Sequence, residues 1–205
     1  MAISGGIWVA IRVIAYPAVN AQPGDYSPPT VKIEAGAKSA LDPHHATMVT
    51  PYLADDVPNL LLNVTNIVTI DAERTFWDKV VILHGQRCWF ELRGELRRQG
   101  QRVSRHYYDI YRLLRSDVGQ RAARDLELAR DCARHARLFF NSSNLDLATA
   151  HPGTFALSPL PGMDIQLRRD YTAMVGMIFG EVPEWETIVE TIRRFEQQIN
   201  EGGAR

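Results

Sequence analysis

Three groups of residues have the types and spacing that chemistry needs. The first is Lys79 in "AERTFWDKVVILH" (72–84). A helix starting near Glu73 places Phe76, Val80 and Leu83 on one apolar stripe, at the spacing of a buried face. Lys79 falls on that stripe, one position before Val80. A buried ammonium is costly unless something pairs with it. Two readings fit: a lysine at the stripe's border with its stem buried and its amine in water, or a point charge for a phosphate. The second group is "VKIEAGAKS" (31–39), where Lys32 and Glu34 share one face of a strand. On a solvent face they form a pair worth little. Lining a cleft, Glu34 is a candidate metal ligand or base. The third is "SRHYYDIYRLLR" (104–115), in which Arg105, Tyr108, Asp109 and Arg112 share a helix face. Val103, Tyr107, Ile110 and Leu114, with Tyr111, supply its apolar side. Arg105 and Asp109 either pair with each other or border a pocket. Glu34 and Asp109 are the carboxylates this reading brings near Lys79.

Other signals are weaker. His44-His45 has no cysteine or third histidine nearby, so it makes a poor metal site. His84 reads as a core or edge histidine. No glycine-rich phosphate loop, G-x-S-x-G elbow or HExxH occurs. Cys88 and Cys132 are the two cysteines, without metal-type spacing, which favours a reduced, cytoplasmic protein. The apolar start "MAISGGIWVAIRVIAY" is interrupted by Arg12 and reads as a strand rather than a signal peptide. No stretch approaches the roughly 20 apolar residues of a membrane span. Net charge is -1 over 205 residues, so the chain as a whole carries no nucleic-acid signature. Arginines nevertheless crowd positions 87–137, while lysine occurs only at 32, 38 and 79. Those arginines are either solvated helix faces or a basic surface for a polyanion.

The elements that must position these residues divide near Asp71. Residues 7–16, 31–37 and 64–70 read as strands, with Val31, Ile33 and Ala35 on the buried side of the second. "ALDPHHATMVTPYLADDVPN" reads mostly as loop, with a short helix or strand at "TPYLADDV". Helices are expected over about 73–98, broken by Gly100, and then from an N-cap at Ser104 through "RHYYDIYRLLR". A third covers about 119–138. A long loop then carries a helical turn near 144–150. "QLRRDYTAMVGMIFG" ends at Gly180 as a C-cap, and "VPEWETIVETIRRFEQQIN" has Pro183 in its first turn. Strands followed by helices give an α+β class with segregated layers. The expected division is a partial sheet region at 1–71 and a helical domain at 72–205.

The segments "YSPPTVKIEAGAKS", "TIDAERTFWDKVVILHGQ", "SRHYYDIYRLL" and "LRRDYTAMVGMIFGEVPEWETIVETIRRFEQQIN" resemble, in order and spacing, the nucleotidyltransferase toxins of the abortive-infection AbiEii/AbiGii type. The resemblance spans about residues 16–200. It implies a small mixed sheet of polymerase-β type followed by a C-terminal helical bundle. It implies transfer of a nucleotide from a nucleoside triphosphate to an acceptor such as tRNA, Mg²⁺ as cofactor, and a cognate antitoxin encoded nearby in a type IV toxin–antitoxin, phage-defence setting. By resemblance Glu34 is the second-motif carboxylate and a metal ligand, Lys79 the third-motif lysine that holds the triphosphate, and Asp109 the fourth-motif acid. Arg105, Lys32 and Tyr108 join Lys79 as substrate-binding residues. The family's first motif, a glycine turn followed by D-x-D on a strand, has no counterpart: Ser4-Gly5-Gly6 is present, but the first acidic residue is Asp25 and no D-x-D follows. The expectation is therefore a family member, N-terminally truncated and catalytically incomplete as it stands. The alternative is an inactive remnant that binds antitoxin or RNA.

Overall fold

Helix α1 (Ala72–Arg93) contains Phe76, Trp77, Val80 and Leu83, all fully buried, and Val81 and Phe90 nearly so. The predicted stripe is there, but burial extends around the helix, because α2, α3 and α4 all pack against it. A helix packed on several sides sits inside a protein rather than on its surface. The structure is a computed structural model that describes residues 9–17, 29–36, 40–97 and 102–203.

The remaining helices are α2 (Ser104–Leu114), α3 (Asp117–Ala122), α4 (Leu126–Phe139), α5 (Pro161–Met174) and α6 (Trp185–Gly203). The core is aromatic where α1 meets α6. Phe76 meets Trp77 and Phe195 edge-on, each at 5.3 Å, and Trp77 stacks on Phe155 at 5.9 Å. Buried polar tips are tied off: Trp77 Nε1 donates to the Ala122 carbonyl at 2.9 Å and Tyr107 Oη to that of Leu157 at 3.0 Å. His84, almost wholly buried, accepts from the Ala156 N–H at Nδ1, and its Nε2 lies 3.1 Å from the Asp146 carbonyl. That places the proton on Nε2 and clamps α1 to the loop after α4. From α6, Glu196 accepts from the backbone N–H of Leu157 and Ser158.

The strands precede the helices, so the α+β class holds. The single mixed sheet does not. Among the described residues there are two separate antiparallel pairs, β1 (Val9–Ala15) with β2 (Thr30–Gly36), and β3 (His44–Val49) with β4 (Val64–Ile70). Nor is β2 half-buried: Val31 and Ile33 are about half exposed. The register gives the reason. Opposed residues share a face, so Ile11 and Val13 lie with Glu34 and Lys32, while Ile14, Val31 and Ile33 lie with Arg12. Each face mixes charged and apolar side chains, and neither can be wholly buried.

Several boundaries differ from expectation. β3 occupies part of the predicted loop. The first helix stops at Gly94, whose φ of +69° makes it a left-handed cap; Gly100 lies outside the described residues, as do Ser4-Gly5-Gly6 and Asp25. The expected 119–138 helix is two helices, because Ser116 caps α3 and Asp125 caps α4, each accepting a backbone N–H. α5 begins earlier, at Pro161, and ends at Met174 rather than Gly180. Pro183 precedes α6, and its carbonyl accepts the Tyr171 hydroxyl.

Candidate functional site

Lys79 faces Asp109. Its Nζ donates to Asp109 Oδ2 at 2.7 Å, which joins α1 to α2. The lysine side chain is 22% exposed and the aspartate 36%, so the pair sits at the border of the core and open to solvent. Helix α2 presents Asp109 because Val103, Tyr107 and Ile110 anchor its other side in the core. Tyr108 is half-buried against that core, and Arg105, one turn before Asp109, is exposed. Arg105 does not pair with Asp109. The helix-spacing pair gives way to a tertiary one, which leaves the Arg105 guanidinium without an ion-pair partner among the described residues.

His106 lies in the same field. Burial, reinforced by the charges of Lys79 and Arg105, pushes its imidazole down to about 3. Its Nδ1 is enclosed and has no hydrogen-bond partner among the described residues. The ring is therefore neutral at ordinary pH and adds no third cation to Lys79 and Arg105.

The orientation of α2 comes from a distant residue. Ser104 does not act as the expected N-cap. Asp170, on α5, accepts from the backbone N–H of Arg102 at 3.1 Å, from that of Ser104 at 2.9 Å and from Ser104 Oγ at 2.6 Å. A carboxylate at a helix N-terminus satisfies orphan donors and meets the positive end of the dipole. Here it arrives from another helix, so local sequence carries no sign of it.

Glu34 is elsewhere in its bonding. It pairs with Lys32 on the same face of β2, and both side chains are more than half exposed. Among the described residues no hydrogen bond or ion pair joins Glu34 to Lys79 or Asp109. His44 and His45 lie on β3, not in a loop, and face separate carboxylates, Asp42 at 3.0 Å and Asp71 at 2.6 Å. The second contact ties β3 to the start of α1. Both cysteines are free. No group of three or more histidine, cysteine or acidic side chains that could hold a metal ion occurs among the described residues.

One charged residue that sequence reading passed over is Arg74. It is almost fully buried. Nη1 donates to Asp131 Oδ2 at 2.7 Å and to the Asp42 carbonyl at 2.5 Å, and Nε lies 3.9 Å from Asp78. That hydrogen bond holds the Asp131 carboxyl below its usual range. Arg74 thus fixes the segment before β3 and helix α4 to α1. The i,i+4 spacing of Arg74 and Asp78 was the available signal. The arginine-rich stretch is partly spent on such pairs: Arg87 meets Glu91, Arg121 meets Glu73 and Arg130 meets Glu127. Arg93 and Arg97 stack over Trp89.

An α+β chain with a lysine–aspartate bridge between two helices, and an arginine one turn before the aspartate, is the class these observations define. Residues 9–197 match the family described as nucleotidyl transferase AbiEii toxin, type IV TA system. The chain belongs to that family. No curated protein and no solved structure matches it. Among the described residues no helix is long and apolar enough to cross a membrane.

Proposed function

We propose that this chain is a toxin-like nucleotidyltransferase component that holds the triphosphate of a nucleoside triphosphate, for transfer of the nucleotide to an acceptor such as tRNA. The observation that carries the reading is the Lys79–Asp109 contact at 2.7 Å, at a solvent-open border with Arg105 one turn away. In the reaction an acceptor hydroxyl loses its proton to solvent and attacks the α-phosphorus, a new P–O bond forms, the α–β bridge breaks and pyrophosphate leaves. Negative charge grows on the leaving group. Lys79 offsets that charge as a point cation, and Arg105 adds a planar second donor set. Asp109 keeps the Lys79 amine extended toward solvent until phosphate oxygens replace its carboxylate. Tyr108 borders this place, and Lys32 belongs to the substrate side only if β2 lies along the bound nucleotide.

Magnesium ions, which the family implies, do not fit the residues described. Glu34 is committed to Lys32, Asp109 to Lys79, and no third ligand stands beside either. No step is therefore assigned to a metal held by these residues. The same disagreement supports a second reading, a non-catalytic protein that binds antitoxin or RNA through its arginines. A cognate antitoxin and a cytoplasmic site of action accompany either reading.

The test is label transfer. Protein, Mg²⁺, total tRNA and each labelled nucleoside triphosphate in turn are mixed, with Lys79→Ala alongside. Label on tRNA with the wild type alone supports the transferase. No label, together with tRNA binding that weakens steeply between low and physiological salt, supports the binding protein.

A further inference from the structure

β2 carries a base and an acid two positions apart, Lys32 and Glu34, with Ile33 between them. Among the described residues β2 pairs only with β1, so its other edge is open. The apolar side chains of this hairpin stay in water: Ile11, Val13, Ile14, Val31 and Ile33 are each about half exposed. A two-stranded sheet in that state is marginal, whereas three or more strands with an apolar face can stand alone.

An open edge offers a row of backbone donors and acceptors to any extended chain. Side-chain charge decides which chain it takes, because opposite charges directly across a strand pair are favourable and like charges are not. A lysine on an edge ordinarily turns other strands away. Glu34 changes that for one partner. When two copies of β2 meet antiparallel about a two-fold axis through Ile33, Lys32 of each faces Glu34 of the other. Ile33 then faces Ile33, and Val31 faces Ala35. Opposed residues share a face, so Ile14, Val31 and Ile33 of one copy lie on the same face as those of the other.

Other strands of the chain do not complement this edge. Glu34 is the sole acid on the four described strands, so none but another β2 brings Lys32 a counter-charge. β1 cannot associate in the same way, because its one charge, Arg12, meets no acid on a second β1 in any register. Parallel, in-register β2 strands would set Lys32 against Lys32.

We infer that the open edge of β2 is a self-association surface, on which two copies of this chain join their hairpins into one antiparallel four-stranded sheet. The contact is isologous and closes on itself, so it gives a dimer and not a filament. It rests on no part of the Lys79 reading, and either can fail alone.

The test is sedimentation equilibrium of the full chain over the micromolar range. The wild type is a monomer in reversible equilibrium with a dimer. Lys32→Glu and Glu34→Lys each set like charges across the axis and weaken self-association at least about tenfold. Mixing those two variants restores association, as a heterodimer, because one then presents acids at both positions and the other presents bases. The double variant, Lys32→Glu with Glu34→Lys, dimerises like the wild type. Rescue by mixing separates a charge-selected edge from a hairpin damaged by either substitution. Hydrogen exchange reads the same edge: β2 amides exchange early in the dilute monomer and gain protection as concentration rises. A wild type that stays monomeric would overturn the inference and leave the edge to a strand of another protein. Dimers as tight in both single variants as in the wild type, or a mixture that does not associate, would overturn it as well.

Discussion

On its largely buried stripe, Lys79 is met by Asp109 from α2. With both side chains partly in water, the pair contributes about 1 kcal/mol or less to stability. Asp109→Asn therefore folds nearly as well as the parent, while the amine is released from its carboxylate. Triphosphate affinity in that variant is expected to hold or rise, measured by calorimetric titration. A loss as deep as that of Lys79→Ala would show that Asp109 does more than hold the lysine. His106 gives a pH signature. Its folded value is depressed to about 3 against 6.5 in the unfolded chain. Between those values the unfolded state binds more protons, so stability is complete above pH 6.5 and is lost as pH falls through that window. By about pH 4.5, two units below 6.5, the loss from this ring is about 3 kcal/mol. Thermal melts at neutral pH and at pH 4.5 check it: His106→Gln is expected to lose less than the parent. The variant keeps some slope, because burial lowers His84 as well. Equal losses would remove His106 from the account. Lysine 79 and Asp109 were legible as partners, one as a charge on an apolar stripe, the other as an acid on the polar face of an amphipathic helix. Glu34 pairs with Lys32, which the sequence allowed but did not select, because strand alternation gives a face but not what the face meets.

Helix α2 carries Arg105, His106, Tyr108 and Asp109, so its start fixes where all of them point. Asp170 sets that start by accepting three hydrogen bonds from residues 66 and 68 positions earlier in the chain. Asp170→Ala is expected to cost about 1–3 kcal/mol and to weaken triphosphate binding, although among the described residues no hydrogen bond or ion pair joins Asp170 to Lys79 or Asp109. Denaturant unfolding and the same titration check both parts; an unchanged midpoint would remove the cap. Helix identities were legible from apolar spacing: Val103, Tyr107 and Ile110 are buried as the 3.6 period requires. Their ends were not, wherever a local cap competed with periodicity. Gly94 and Asp125 cut runs that the apolar pattern would have continued, and Ser116 starts α3 slightly earlier than expected. β3 was hidden because "HHATMV" has neither strong alternation nor many β-branched residues, and its pairing with β4 is a long-range choice.

At the scale of the molecule, the helices share one core and the β1–β2 hairpin contributes nothing to it among the described residues. A two-stranded hairpin with both faces exposed is marginal by itself. Amide hydrogens of β1 and β2 are therefore expected to exchange early, while those of α1 near Phe76–Leu83 exchange only through global unfolding. Equal protection of hairpin and α1 would show that the hairpin is held by contacts beyond those described. Family membership was legible, and the match spans residues 9–197; the blocks around Lys79 and Asp109 both lie on helices of the shared core. In the structure Glu34 pairs with Lys32 on its own strand, one of the two readings that strand spacing allowed. The central claim, that the Lys79–Asp109 border receives a triphosphate, is tested most directly by titrating nucleoside triphosphates into the folded wild type and Lys79→Ala in the presence of Mg²⁺. The prediction is saturable binding that weakens at least about tenfold, roughly 1.4 kcal/mol, without Lys79. Equal affinity in the two proteins would contradict it.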